Sequence, residues 1–336
     1  TIAANIGETA ILNIDACFPD SIVGFVADPK KADTKFIKYY MDTIKKQMSN
    51  VSQGATQENM SLEKIGLFDL LIPPPKDQQK IAGILSAYDD LIENNNKRIK
   101  ILEEMAQMLY KEWFIDFKFP NHQNTKFIDS ELGKIPENWR AGKVIDCCSK
   151  IQNGGTPKRS KPEYWLNASV PWLSSGEVRK NIIIETKGYI SELGLKESSA
   201  KLLPKYVTIV ALYGATAGQV ALSTIELSTN QAVSALFPKQ HHTYFNYLLL
   251  QTISNDLIGK ATGAAQQNIS KDIVENMKVI IPNTELLGVF ENKMNPIFKL
   301  WECLSKKNHT LKESRDLLLP RLISGELSVE NLEVKI

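Results

Sequence analysis

Glu185 and Lys187, two residues apart behind the apolar run 182–184, have the spacing of half a metal-dependent nuclease centre. An upstream carboxylate such as Asp146 would have to complete it. The same Glu-x-Lys spacing recurs in a helical stretch as Glu291-Asn292-Lys293, so the pattern is weakly specific. Other catalytic patterns are missing from the sequence. Gly214-Ala215-Thr216-Ala217-Gly218 lacks the lysine of a phosphate loop and reads as a turn. There is no Gly-x-Ser-x-Gly elbow. Nor is there an Asn/Asp-Pro-Pro-Tyr/Phe loop to hold a flipped adenine, and Pro73-Pro74-Pro75 is not one. Four histidines (122, 241, 242, 309) and four cysteines (17, 147, 148, 303) show no zinc spacing. The cysteines read as reduced thiols of a cytoplasmic protein, with Cys147-Cys148 in packing.

Polar loops carry the binding chemistry. Gly154 and Gly155 permit close backbone approach, and Lys158, Arg159 and Lys161 on the same loop could neutralise phosphates. Ser174, Ser175, Glu177 and Arg179 end a predicted strand; arginine suits guanine and glutamate can accept from cytosine. Asn230, Gln231, Gln266 and Gln267 add amides, which suit adenine. Each loop alone could be a solvated turn. Together, at the end of a long spacer, they point to DNA.

That spacer is the stretch 73–120. Ile81, Tyr88, Asn95, Leu102 and Leu109 form one heptad column, with Ile84, Leu85, Leu91, Ile92, Ile99 and Met105 between them and Trp113 after them. The pattern predicts one helix stopped at Pro120, roughly 40 residues and about 60 Å long. A buried Asn95 would fix register; an exposed one would not. Such a stripe needs a partner helix, and the chain contains one. Gly54-Ala55-Thr56-Gln57-Glu58-Asn59-Met60-Ser61 matches Gly263-Ala264-Ala265-Gln266-Gln267-Asn268-Ile269-Ser270 at five of eight positions, 209 residues apart. Ile72-Pro73 matches Ile281-Pro282 at that offset, and the column returns as Phe290, Ile297, Leu304, Leu311 and Leu318. A globular half followed by a long helix therefore occurs twice.

The expected organisation is a truncated first globular unit (1–72), a helix (73–120), a linker (121–134), a second unit (135–282) and a second helix with tail (283–336). Pro320 marks the end of that helix. The repeat predicts a counterpart of 135–207 ahead of Thr1. Strands are expected near 11–14 and 22–26 and over 144–151, 170–173, 182–184, 206–212, 219–222 and 232–237, with helices over 34–48 and 242–258. The fold class is α+β. With 336 residues, 43% hydrophobic, the chain has material for two domains. Its net charge of +2 puts any attraction to nucleic acid in local patches. No apolar run is long enough for a membrane span.

These stretches resemble the specificity subunit of Type I restriction-modification systems. The start of a target recognition domain is matched by Gly133-Lys134-Ile135-Pro136-Glu137-Asn138-Trp139, Gly154-Gly155-Thr156-Pro157, Tyr164-Trp165 and Val170-Pro171-Trp172-Leu173. Leu212-Tyr213-Gly214-Ala215-Thr216 and Ser228-Thr229-Asn230-Gln231-Ala232 match its later strands. Leu109-Tyr110-Lys111-Glu112-Trp113-Phe114 and Leu319-Pro320-Arg321-Leu322-Ile323-Ser324-Gly325-Glu326 match the ends of its long helices. One departure is that the first recognition domain lacks its front half, including any Gly-Gly-Thr-Pro loop.

The resemblance implies two recognition domains joined by antiparallel helices. Each domain reads one half of a split duplex DNA sequence, and the helices set the unread gap. It adds Thr156, Tyr213 and Thr216 to the expected DNA contacts. It implies two modification (methyltransferase) subunits as partners, using S-adenosylmethionine, and restriction subunits using ATP and Mg. The chain itself would hold no catalytic residue and no cofactor. The alternatives left by the residues are a stand-alone nuclease using Glu185 and Lys187, and a coiled-coil scaffold that binds only protein.

Overall fold

The computed structural model describes residues 1–2, 5–52, 60–179, 181–260 and 268–330. In chain order the helices are α1 (Thr34–Ser52), α2 (Leu62–Gly66), α3 (Pro75–Tyr110), α4 (Glu192–Glu197), α5 (Thr243–Thr252), α6 (Ser254–Gly259), α7 (Lys271–Asn276) and α8 (Thr284–Ile323). The strands are β1 (Phe127–Ser130), β2 (Gly133–Pro136), β3 (Arg140–Lys143), β4 (Cys148–Asn153), β5 (Val170–Leu173), β6 (Ile182–Ile183), β7 (Gly188–Ile190), β8 (Thr208–Ala211), β9 (Val220–Ser223), β10 (Ser228–Thr229), β11 (Val233–Pro238) and β12 (Lys278–Ile281). Two units divide the chain: residues 1–97 with 307–336, and residues 98–306. Among the described residues, no helix is long and apolar enough to cross a membrane.

In the first unit, α1 packs Phe36, Ile37 and Tyr39 against Ile81, Ala82 and Leu85 of α3 and Leu322 and Ile323 of α8. Gln78 joins the first turn of α3 to the approach to α1. Its Oε1 accepts from the Asp33 N–H at 2.8 Å, and its Nε2 donates to the Lys31 and Pro73 carbonyls. Asp89 accepts from the Tyr39 hydroxyl and from Arg315. The Asn95 Nδ2 donates to Asn308 Oδ1 at 2.9 Å, so α3 and α8 run antiparallel here. No strand forms in this unit among the described residues. Ile11, Leu12, Ile14, Phe25 and Val26, expected in strands, are exposed. A strand needs neighbours for its backbone N–H and C=O groups, and none is available there among the described residues.

In the second unit, a five-stranded sheet has the order β4-β11-β8-β9-β6. A three-stranded sheet has the order β10-β5-β7, and β1-β2 and β12-β3 are two-stranded pairs. The central β8 is buried at all four residues, which is why Ile209, Val210 and Ala211 run consecutively apolar rather than alternating. The strand period of two divides its side chains between two cores. Val210 faces the larger one, with Leu222 and Leu236, α5 and the long helices; Ile209 and Ala211 face the smaller, with Leu173, Val178 and Leu227. The half-buried carboxyl of Glu291, on α8, accepts from the N–H groups of Tyr244 and Phe245 in the first turn of α5.

Several boundaries differ from the sequence reading. The segment 144–147 is a 3-10 turn, and β4 begins only at Cys148. The expected helix over 242–258 is two helices, α5 and α6, broken at Ile253. The first long helix leaves α geometry well before Pro120. Lys111–Ile115 form a π turn, and Phe117 adopts φ 54. That wider turn buries two consecutive aromatics, Trp113 and Phe114, whose rings meet Phe290 at 5.7 and 4.8 Å. α8 continues through Pro296 and past Pro320 to Ile323. Pro320 lacks an N–H, but its carbonyl still accepts from Ser324; Gly325, at φ +77, ends the helix. Of the expected seam, Ile81, Leu102, Phe290 and Leu304 are buried, and Tyr88, Leu109, Ile297, Leu311 and Leu318 are half-buried. The alternate column is Leu85, Ile92, Ile99, Ala106 and Trp113, while Leu91 and Met105 point out.

Candidate nucleic-acid interface

Strand register brings the polar loops of the second unit together. Ser234 pairs with Asn153, Val233 with Ala211, and Thr229 with Leu173. The C-terminal ends of β4, β5, β8 and β10 therefore lie beside the start of β11. Backbone bonds tie the exits: Gly154 N–H to Val233, Gly155 N–H to Thr229 and Asn230 N–H to Leu173, at 2.8–3.0 Å. The turn 214–216 lies beside the turn 175–177. Four loops from separate parts of the sequence thus form one face.

The glycines of the first loop are packed closely inside the domain. A Cβ on Gly154 would lie 2.0 Å from Thr229 Oγ1, and one on Gly155 would lie 2.4 Å from the Ser199 carbonyl oxygen. The loop beyond them is held rather than flexible. Trp172 Nε1 donates to the Gly155 carbonyl and Trp165 Nε1 to the Lys158 carbonyl, each at 3.2 Å. The Arg159 guanidinium lies over the Trp165 ring at 3.6 Å, and Lys161 donates to the Tyr164 hydroxyl at 2.9 Å. Lys158, Arg159 and Lys161 are exposed. Thr156 Oγ1 donates to Gln231 Oε1.

Glu177 is committed inside its own turn. One carboxylate oxygen accepts from the Ser174 N–H and hydroxyl, at 3.1 and 2.9 Å; the other accepts from the Lys187 N–H at 2.8 Å. These bonds shape the loop. Ser174 and Ser175 are half-buried, and Arg179 is exposed with no bonded partner among the described residues. Tyr213 is exposed, whereas Thr216, at the end of the turn 214–216, is buried. Gln231 is exposed and Asn230 half-buried. Gln266 and Gln267 lie outside the described residues. Five buried oxygens of Asn153, Ser228, Thr229, Asn230 and Ser234 have no hydrogen-bond partner among the described residues. The sequence reading does not name Trp165 or Trp172 among the site residues, and it gives Lys187 a different role; two tryptophans following the basic loop are the available signal.

The nuclease alternative does not assemble. Asp146 precedes β4 and Glu185 follows β6, the two opposite edges of the five-stranded sheet. Four strand spacings separate those edges, about 19 Å. Asp146 is instead bonded to the Lys143 N–H and to Arg140. The Lys143 N–H, then Arg140, holds its carboxyl below the usual carboxylate range. Among the described residues, no cluster of His, Cys, Asp and Glu could hold a metal ion.

The family model described as the Type I restriction modification DNA specificity domain matches residues 1–104 and again 136–286. The chain belongs to the Type I restriction-modification specificity subunits. The specificity subunit of the MjaIX Type I restriction enzyme of Methanocaldococcus jannaschii is 30% identical over 315 residues, covering 90% of this chain and 72% of that protein. The HindI specificity subunit of Haemophilus influenzae is 26% identical, covering 82% and 72%. The S subunit of a Type I restriction-modification system from M. genitalium has the same fold, with a TM-score of 0.57 at 18% identity, covering 88% of this chain and 74% of that one. As a specificity subunit, the chain is the non-catalytic part of its restriction enzyme.

Proposed function

We propose that this specificity subunit reads a bipartite duplex DNA sequence, with residues 135–282 in one reader and 1–72 in the other. The observation that carries the proposal is the convergence of four loops on one face, with Lys158, Arg159, Arg179, Tyr213 and Gln231 at its surface. Cations of this kind neutralise phosphates, and arginine and glutamine reach base edges. Chemistry belongs to partners: two modification subunits using S-adenosylmethionine, and restriction subunits using ATP and Mg, in the cytoplasm. A docking surface for the modification subunits is supported by Ile101, Met105 and Met108, an exposed apolar stripe at helical spacing on α3. The length of the helices would set the number of unread base pairs.

The test is an adenine-methylation map of the genome in cells carrying this chain with its modification subunit, against cells lacking the chain. A split motif that disappears with the chain is expected. A motif with one half-site, or a palindrome of it, would restrict reading to residues 135–282. No chain-dependent motif would overturn the proposal.

A further inference from the structure

Two indoles staple the basic loop. Trp172, buried, holds the Gly155 carbonyl; Trp165 holds the Lys158 carbonyl and meets Trp172 edge-on at 5.4 Å, with an interplanar angle of 87°. Arg159 follows directly, its guanidinium 3.6 Å from the Trp165 ring centroid. A guanidinium lying on an indole presents its N–H groups outward in its own plane. Among the described residues none of those N–H groups is bonded. The backbone anchor and the ring contact come from the same side chain, so Trp165 sets both where Arg159 starts and how its head is turned.

We propose that Trp165 is a positioning residue for DNA binding, presenting the Arg159 guanidinium to a backbone phosphate of the duplex. This rests on the DNA-reading role proposed above. Preorganisation matters here because a long cationic side chain otherwise loses its rotamer freedom on binding. Phosphate, rather than a base, is the assigned contact because Arg159 shares its loop with the exposed Lys158 and Lys161, and clustered cations neutralise backbone phosphates.

The experiment uses the full chain assembled with its modification subunits. The probes are a fluorescein-labelled duplex bearing the mapped motif and a shuffled duplex, titrated across a range of salt. Arg159→Ala is expected to weaken binding to both duplexes about tenfold and to reduce the salt slope by about one. Trp165→Ala should reproduce most of that loss, and the double variant should be no weaker than Arg159→Ala alone. Trp165→Phe, which keeps a ring under the guanidinium, should recover affinity to within about threefold of wild type. Unchanged affinity and slope in Trp165→Ala, or losses that multiply in the double variant, would overturn the proposal. Should Trp165→Ala lose its thermal transition, Arg159→Lys decides: it keeps the charge without the planar stack, so wild-type binding would overturn the proposal and weakened binding would support it. A wild-type complex that binds neither duplex in a salt-dependent way removes the DNA-reading role itself. A wild-type complex that binds while the variants match it removes only the role of Trp165.

Discussion

The Asn95 amide donates to Asn308 Oδ1 at 2.9 Å between α3 and α8, and Asn308 in turn donates to Asn96 at 2.8 Å. Asn95 and Asn308 are only 8% and 5% exposed, so these amides sit in the seam of the helix pair. A buried amide pair has one register in which it is satisfied, and any slip leaves polar groups unpaired.

Asn95→Leu should therefore destabilise the protein by roughly 1–3 kcal/mol, because Asn308 Oδ1 loses its donor. Asn95→Leu combined with Asn308→Leu should recover much of that loss, since two apolar groups leave fewer polar atoms unsatisfied. Denaturant melts of Asn95→Leu, Asn308→Leu and the double variant check it; a double variant that loses the sum of the single losses or more would refute the pairing.

Burial pushes the Glu291 carboxyl up to about 7, against the opposing effect of the two N–H groups that it accepts from. A folded pKa above the unfolded 4.5 means that the folded state holds the proton more tightly. Stability from this group is thus complete below pH 4.5 and falls as pH rises through about 7. Glu291→Gln keeps an acceptor and removes the titration. Its Tm relative to wild type should rise between about pH 5 and pH 8, and a constant difference across that range would refute the assignment.

Gly154→Ala and Gly214→Ala should separate two uses of glycine. The first places a Cβ against Thr229 side chain and backbone and should cost about 3 kcal/mol, the upper end of overpacking penalties. The second meets open space but sits at φ +78, so about 1–2 kcal/mol of backbone strain is expected. Thermal melts distinguish them, and equal losses would show that crowding at Gly154 is relieved by local movement.

Arg179→Ala should leave stability within about 0.5 kcal/mol of wild type, because the side chain is exposed and unbonded among the described residues. Duplex affinity should fall roughly tenfold if Arg179 contacts DNA. Unchanged affinity would place it off the interface.

Much of the architecture was legible because helices and strands write their periods into sequence. The column Ile81, Asn95, Leu102 and its partner Phe290, Leu304 could be read directly, as could the strand 170–173. The alternate column could not. Leu91 and Met105 are as apolar as Ile92 and Ala106, and composition does not say which side of a helix meets a neighbour. The strands expected near 11–14 and 22–26 failed because a strand depends on hydrogen-bonding partners that its own residues do not encode.

By itself, the sequence determined that the chain repeats a globular part and a long helix, that its helices carry a heptad seam, and that the loops rich in Gly, Lys, Arg and amides exist. Tertiary structure alone decided which of those polar residues remain available. Glu177 closes onto Ser174 and Lys187, Thr216 goes under its turn, Gly154 and Gly155 fill against Thr229 and Ser199, and Arg159 lies on Trp165. The physical reason is that local propensity follows from neighbours in sequence, whereas the partner of a carboxylate, a Cβ or a guanidinium comes from a distant strand or turn.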